Sequence, residues 1–144
     1  MKVRVFAASC VLSAGLVGQA LAQPACPNGN NPVPTAELVT LVAGRTMCAA
    51  RAPDRWQEFH SGATAAGGPL IDWKLGPGHP VDPRETVGTW SVSGSLLTHT
   101  YLGGASFIWL VCRPGNSSNI TLVSTGTSGT ISSINMLAGQ VACP

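Results

Sequence analysis

The sequence predicts an all-β fold: an antiparallel β-barrel, or a strongly curved sheet, of about eight strands. Two observations carry this prediction. After Gly44 the chain runs as short apolar or alternating segments, broken by Gly, Pro, Asn and Ser at intervals of roughly 8 to 15 residues. Arg113 is the one charged residue after Glu85, so the strands of this half have few charges to prevent edge-to-edge association. Closing the sheet into a barrel removes the exposed edges altogether. A two-sheet sandwich is the alternative architecture.

Strand alternation is clearest where Trp90 and Val92 point to one face and the neighbouring hydroxyl side chains to the other. The short sequence Ser93-Gly94-Ser95 then fits a tight hairpin to the next strand. The predicted strands span residues 45–49, 56–60, 70–75, 86–93, 96–102, 106–113, 119–124 and 130–137.

Two of these strands carry further predictions about burial. The continuous apolar stretch 107–112 predicts a strand that is buried on both faces. In the strand over 70–75, one face should carry Ile71, Trp73 and Leu75. The opposite face should carry Leu70, Asp72 and Lys74.

One helix is predicted, over 36–42. Thr35 has the side chain of an N-cap, and Gly44 ends the segment. Before it, residues 23–35 hold four prolines and a run of Asn and Gly, a composition that excludes a helix or a central strand. The mature chain therefore divides into an extended Pro/Asn-rich leader, 23–35, and a single β domain, 36–144.

Residues 1–22 have the pattern of a cleavable secretory signal peptide. Lys2 and Arg4 precede an almost uncharged apolar run over 5–17, and Ala20 and Ala22 supply the small side chains of an A-x-A cleavage site. The apolar run is shorter than the roughly 20 residues that a membrane helix needs. We therefore expect no membrane span and a periplasmic or extracellular protein.

Cysteine usage agrees with secretion. Cys10 leaves with the signal peptide, and the even number that remains predicts two disulfides. The wide spacing fits neither a Cys-x-x-Cys metal or redox motif nor a haem attachment site. The spacing alone leaves three connectivities open. A closed barrel makes its first and last segments neighbours, so the favoured pairing joins Cys48 to Cys143 and Cys26 to Cys112.

Charge and motifs exclude several function classes. Lys2 and Arg4 leave with the signal peptide, so six basic and six acidic residues remain and the formal charge is zero. Nucleic acid and anionic membranes are then poor partners. The chain has no Gly-x-Ser-x-Gly nucleophile elbow, no phosphate-binding loop and no His-Glu-x-x-His motif. We expect no metal and no cofactor.

Several strings together resemble a group of small, uncharacterised β-rich bacterial proteins that are secreted or periplasmic. They are residues 41–48, 56–60, 74–77, 80–83, 87–92 and 137–140 with Cys143, and the similarity spans about residues 38–143. The tripeptide Gly88-Thr89-Trp90 also resembles a strand of lipocalin-like periplasmic β-barrels. Neither resemblance implies an activity, a cofactor or a catalytic residue.

The candidate ligand-binding residues are Trp73, Trp90, Trp109 and His99. A barrel of about eight strands is either just filled by side chains or able to hold one small ligand. Tryptophans in it either line a cavity or, more commonly, fill the core. His99 shares a face with Leu97, and if that face points inward a core histidine satisfied by hydrogen bonds is the favoured interpretation over a ligand-binding one.

A second group of candidates could carry acid/base chemistry. Glu58 and His60 lie two apart on a predicted strand and so share a face, and Asp72 could sit opposite them in the next strand. The favoured interpretation of this face is a solvated ladder of cross-strand ion pairs. His79 lies in a Pro/Gly loop, where a plain turn is favoured over a ligand-binding role.

The leading hypothesis is a non-enzymatic protein that binds a small apolar or amphipathic ligand or a protein partner. A structural or self-associating envelope module, based on the uncharged Ser/Thr/Gly-rich C-terminal half, is the second. A hydrolase using Glu58, His60 and Asp72 is the third.

Overall fold

The computed structural model of the protein describes residues 24–51, 54–72 and 84–144. The predicted signal peptide, Trp73 and His79 lie outside these residues. The described elements are β1 Asn31–Pro32, α1 Thr35–Val42, β2 Arg45–Arg51, β3 Asp54–His60, β4 Gly67–Asp72, β5 Glu85–Ser93, β6 Leu96–Tyr101, β7 Ser106–Arg113, β8 Asn119–Ser124 and β9 Thr130–Ala138.

Strands β2 to β9 form a closed antiparallel barrel of eight strands. Each strand pairs with the next along the chain, and β9 pairs back with β2. The two-residue strand β1 adds to β7. The predicted all-β barrel is confirmed, and the sandwich is excluded because one continuous sheet closes on itself. The short strand β1 lies in the predicted leader, where prolines are compatible with an edge strand.

The barrel interior is mainly apolar, and alternation places its side chains there. In β5 Trp90 and Val92 are buried, as predicted, together with Gly88, and the chain turns through Gly94 and Ser95 into β6. The apolar core comprises Val33, Leu38, Val42, Ala43, Met47, Ala49, Leu70, Trp90, Val92, Leu97, Trp109, Val111, Ile120, Leu122, Ile131, Ile134 and Met136.

Two predictions about strand burial were wrong in part. The second half of β7 is buried on both faces, but Phe107 and Ile108 are 37% and 41% exposed. The reason is that β8 ends opposite Trp109, so the start of β7 extends beyond it. In β4 a register shift between Leu70 and Ile71 buries both residues, so the strict alternation predicted for that strand is broken there.

One end of the barrel, here called the helix end, is covered by α1. The helix follows a segment that bonds to the end of β7, and it leads directly into the start of β2. Its Leu38 and Val42 are fully buried in the apolar core. Gly44 has a φ of +69° and its N–H donates to the carbonyl of His60 at 2.8 Å. That left-handed backbone lets the chain leave the helix and enter β2.

Two details of α1 refine the sequence prediction. Thr35 is the first helical residue rather than the N-cap, because the cap position is Pro34 and no side chain caps the helix. The guanidinium of Arg113 donates to the Glu37 carboxylate, so the one charge after Glu85 ties α1 to β7.

Two disulfides join distant parts of the chain. Cys26–Cys112 holds the leader to β7, and Cys48–Cys143 holds the C-terminal segment to β2. The predicted pairing is confirmed. Each bridge contributes about 2 to 4 kcal/mol by restricting the unfolded chain. Two disulfides indicate an oxidising compartment.

In the described residues no helix has the length and apolar character to cross a bilayer.

Candidate functional site

A row of polar side chains runs through the barrel interior from the start of β2, beside α1, to the end opposite α1. This end, here called the tyrosine end, is where β4 ends at Asp72, β6 ends at Tyr101 and β7 begins just before Phe107. Glu58 and His60 reach the interior from β3, and His99 and Tyr101 reach it from β6. We refer to Glu58, His60, His99 and Tyr101 as the polar cluster.

The polar cluster forms one continuous chain of contacts. The Tyr101 hydroxyl donates to Glu58 Oε1. Glu58 Oε2 lies 3.4 Å from His99 Nδ1, and His99 Nε2 lies 2.9 Å from His60 Nε2. At the far end, His60 Nδ1 lies 3.4 Å from the carbonyl oxygen of Arg45. The chain therefore runs from a half-buried hydroxyl to a backbone carbonyl through fully enclosed groups.

β3 and β6 meet across the interior although β4 and β5 separate them in the sheet. Gly88 of β5 pairs with Tyr101, and a Cβ at this glycine would lie 2.1 Å from the carbonyl oxygen of Thr100. Only glycine allows this close approach of β5 to β6. Beside it, Trp90 pairs with His99 and meets the His60 ring edge-on at 5.5 Å. β5 thus pairs with His99 through its backbone and contacts His60 through the Trp90 ring.

The burial of these groups corrects one prediction and confirms another. Glu58 is 4% exposed and His60 is fully buried, so the interpretation of their face as a solvated ladder of ion pairs was wrong. The reason is that this face of β3 points into the closed barrel. Asp72 is the cross-strand partner of Glu58, as expected. His99 is 2% exposed and hydrogen-bonded, which confirms the core-histidine interpretation.

The contacts define where protons can reside. His60 Nδ1 faces a carbonyl, which can only accept, so this nitrogen carries a proton and Nε2 offers a lone pair. His99 Nε2 must then donate to it. That leaves His99 Nδ1 facing Glu58 Oε2 at 3.4 Å, outside hydrogen-bond geometry, so the charge of each group remains to be assigned. Either Glu58 is a neutral acid beside a neutral imidazole, or the two form an ion pair.

Burial decides between these two states. It raises the pKa of Glu58 to about 7; the Tyr101 hydrogen bond opposes the rise and the charge of Asp72 adds to it. Burial lowers the pKa of His60 to about 4, and burial with the nearby His60 holds the pKa of His99 well below its usual range. Near neutral pH both histidines are therefore uncharged, and Glu58 keeps its proton until the pH approaches 7.

An aromatic row leads from the tyrosine end into the barrel. Tyr101 meets Phe107 edge-on with centroids 5.9 Å apart, and Phe107 stacks on Trp109 at 6.2 Å. Trp109 is buried, whereas Phe107 is partly exposed and Leu102, next to Tyr101, is 79% exposed. An apolar surface thus continues outward from the polar cluster.

The predicted ligand-binding residues lie in different surroundings. Trp90 is buried in the core, with its Nε1 donating to the carbonyl of Ser61 at 3.0 Å. Trp109 belongs to the aromatic row and His99 to the polar cluster. Trp73 lies outside the described residues. The ligand-binding prediction therefore included two residues of this region, Trp109 and His99. Glu58, His60 and Asp72 were predicted separately, as the residues of a hydrolase.

Tyr101 and Phe107 were missed as functional candidates. The signal for Tyr101 was its position two residues after His99, which puts both on one face of a strand. Phe107 is the cross-strand partner of His99. Neither residue could be connected to Glu58 by sequence, because that contact crosses the barrel rather than following a strand pair.

The described residues contain no group of three or more His, Cys, Asp or Glu side chains arranged to hold a metal ion. A surface pocket of about 420 Å³ lies elsewhere, at the helix end. Its lining includes one charged side chain, Arg45, whose Nε donates to the carbonyl of Thr40. The pocket therefore offers less chemistry than the tyrosine end.

No protein-family model matches the chain, and neither a characterised protein nor a solved structure matches it. The resemblance to small secreted or lipocalin-like proteins stays a prediction.

Proposed function

We propose that the chain is a secreted or periplasmic, non-enzymatic protein that binds one small amphipathic ligand at the tyrosine end of its barrel. The observation that carries the proposal is the polar cluster inside an otherwise apolar interior. Burying a carboxyl group and two imidazoles costs free energy that an apolar filling of the same volume would avoid. Groups retained at such a cost, with strongly shifted pKa values, are typical of functional sites.

The geometry also indicates how a ligand would lie. The Tyr101 hydroxyl donates to Glu58, which leaves its oxygen free to accept a hydrogen bond from a polar head. The partly exposed face of Phe107 lies beside it for an apolar group. The core beyond Trp90 is filled by side chains, so the ligand would occupy the outer part of the barrel.

The proposed location rests on two features. The N-terminal sequence has the pattern of a signal peptide, and both disulfides need an oxidising compartment to form. A self-associating envelope module has less support, because it would need an open edge in the last strands, and β8 and β9 are paired on both sides.

A thermal-shift screen tests the proposed function. Fatty acids, fatty alcohols, sterols, aromatic compounds and oligosaccharides would be tested with tryptophan emission as the second readout. At a concentration 100 times its Kd, a ligand that binds only the folded state adds about 2.7 kcal/mol to the free energy of unfolding. We expect an amphiphile to raise Tm in the wild type and to do so less in Tyr101→Phe. Ile108→Ala, on the outer face of β7, is the matched control and should respond like the wild type. A flat response across the panel would contradict the proposal.

A hydrolase is the second candidate, because the register of β3 and β4 places Glu58 opposite Asp72 with His60 on the same face. Both ring nitrogens of His60 already face Arg45 and His99, so the acid/base role would fall to Glu58. Chromogenic esters, phosphoesters and glycosides would be assayed with wild type and Glu58→Gln. Turnover that the substitution abolishes would favour this candidate over simple binding.

A further inference from the structure

Two carboxyl groups face each other inside the tyrosine end. Glu58 and Asp72 are direct partners across β3 and β4. The negative charges of both reach Tyr101, where they add to burial in raising the pKa of the phenol. Glu58 Oε2 is buried and makes no hydrogen bond, since its contact with His99 Nδ1 at 3.4 Å is outside hydrogen-bond geometry. The site therefore presents a buried acceptor beside a second acid.

The aromatic row lies on the outer side of this pair of acids. Tyr101, Phe107 and Trp109 present π faces and edges within one continuous series. Aromatic faces attract cations, and more strongly when the cation is removed from water. Acids and aromatic rings together form the surroundings that suit an organic cation.

We propose that the ligand's polar head is an organic ammonium ion, held by Glu58 and the Tyr101 oxygen, with its apolar part on Phe107. This inference rests on the proposed function. An ammonium supplies the donors that Glu58 Oε2 lacks, and its charge opposes the two carboxylates in a low-dielectric interior. A carboxylate head would add a third negative group. An uncharged hydroxyl would satisfy Tyr101 but would gain little from the acids.

Binding should release a proton. The groups that face Glu58 in the described chain are Asp72 from β4, His99 and Tyr101 from β6, and His60 from its own strand, and none is a cation near neutral pH. When the ammonium binds, the Glu58 proton passes to solvent and the ligand's charge replaces it, while the histidines stay neutral. Below the pKa of Glu58, about 7, affinity should therefore rise up to about tenfold per pH unit, and it should level off above.

Calorimetry with tail-matched probes tests the inference. The probes are octylammonium, octyltrimethylammonium, octanol and octanoate, each below its micelle concentration. We expect both ammonium ions to bind at least about tenfold more tightly than octanoate. The affinity of octylammonium should increase about tenfold from pH 5.5 to pH 6.5. Buffers of different ionisation heat should show about one proton released per ligand near pH 6.

Two variants localise the effect. Glu58→Gln should weaken octylammonium binding at least about tenfold and remove its pH dependence, whereas Glu37→Gln, which removes a carboxylate at the helix end, should bind like the wild type. The proton release needs no variant, so it decides the question even if Glu58→Gln does not fold. Binding of octanol or octanoate without the ammonium ions would overturn this inference and leave the proposed function standing. Binding of none of the four, with a flat thermal-shift screen, would overturn both.

Discussion

The two ends of the barrel are built from the same strands and the same alternation, yet they differ in what they bury. The helix end buries apolar side chains such as Leu38, Val42, Leu97 and Val111, which exclude water and need no partners. The polar cluster begins at the tyrosine end with Tyr101 and reaches the start of β2 with His60, and it buries groups that need hydrogen-bond partners and protons in defined positions. The difference teaches that one interior can combine apolar packing, which stabilises the fold, with a buried polar cluster whose pKa values are shifted.

The largest effect should follow a cavity at the helix end. Leu97→Ala should lower the free energy of unfolding by about 2 to 5 kcal/mol, because a fully buried side chain leaves a cavity in packed surroundings. Urea unfolding measures this. Ile108→Ala, at an exposed position of the neighbouring strand, is the control and should cost much less. Equal losses at both positions would show that the helix end is not the stabilising region.

Glu58→Gln should change how stability depends on pH. The raised pKa of Glu58 means that the folded state holds a proton that the unfolded state has lost between pH 4.5 and about 7, so its contribution to stability is lost as pH rises through this window. Relative to the variant, wild-type stability should therefore fall by about 3 kcal/mol from pH 4.5 to pH 7.5. Parallel urea-unfolding profiles for the two proteins would contradict this.

His60 and His99 have the opposite effect on the pH dependence of stability. The pKa of His60 is lowered to about 4 and that of His99 is lowered as well, so both make the unfolded state bind more protons below their ordinary pKa of 6.5, and their contribution to stability rises with pH up to that value. Below pH 6.5 the two histidines make stability rise with pH more than Glu58 makes it fall. Wild-type stability should therefore be greatest near pH 6.5. In Glu58→Gln the decrease above pH 6.5 should be absent.

Gly88→Ala should displace β6 from β5 at the tyrosine end and so move Tyr101. An added Cβ would collide with the Thr100 carbonyl, and the displacement of β6 should cost about 1 to 3 kcal/mol. Tyr101 is the single tyrosine of the chain, so its ultraviolet titration reports on this end alone. In the wild type its pKa is raised above the usual 10 by burial and by Glu58, and in the variant it should return toward 10. An unchanged titration would show that Gly88 does not position Tyr101.

The smallest effect should come from the ion pair between α1 and β7. Glu37 is partly exposed, and pairs of this kind contribute about 1 kcal/mol or less. Glu37→Gln should cost less than about 1 kcal/mol, and the loss should shrink in high salt because the charges are screened. A salt-independent loss above that value would mean that the contact acts through packing instead.

The sequence was sufficient for the barrel because turns and alternation are local signals, and closure favoured the Cys48–Cys143 pairing among three possible connectivities. It also placed Glu58 and His60 on one face. It did not show which face is inside, because the outer face of β3 is covered as well: Gln57 is buried, and its Oε1 accepts from the N–H of Cys143 at 2.6 Å. The contacts of Glu58 with His99 and Tyr101 cross the interior between strands that are not neighbours, and no sequence pattern encodes them.

The central claim is that the polar cluster holds a buried carboxyl group, Glu58, that keeps its proton up to about pH 7. The most direct test is a ¹³C NMR titration of the Glu58 side-chain carboxyl, assigned by the signal missing in Glu58→Gln. The structure predicts a midpoint near pH 7, well above the ordinary 4.5. A midpoint near 4.5 would contradict the claim, because Glu58 would then be an ordinary ionised carboxylate at neutral pH.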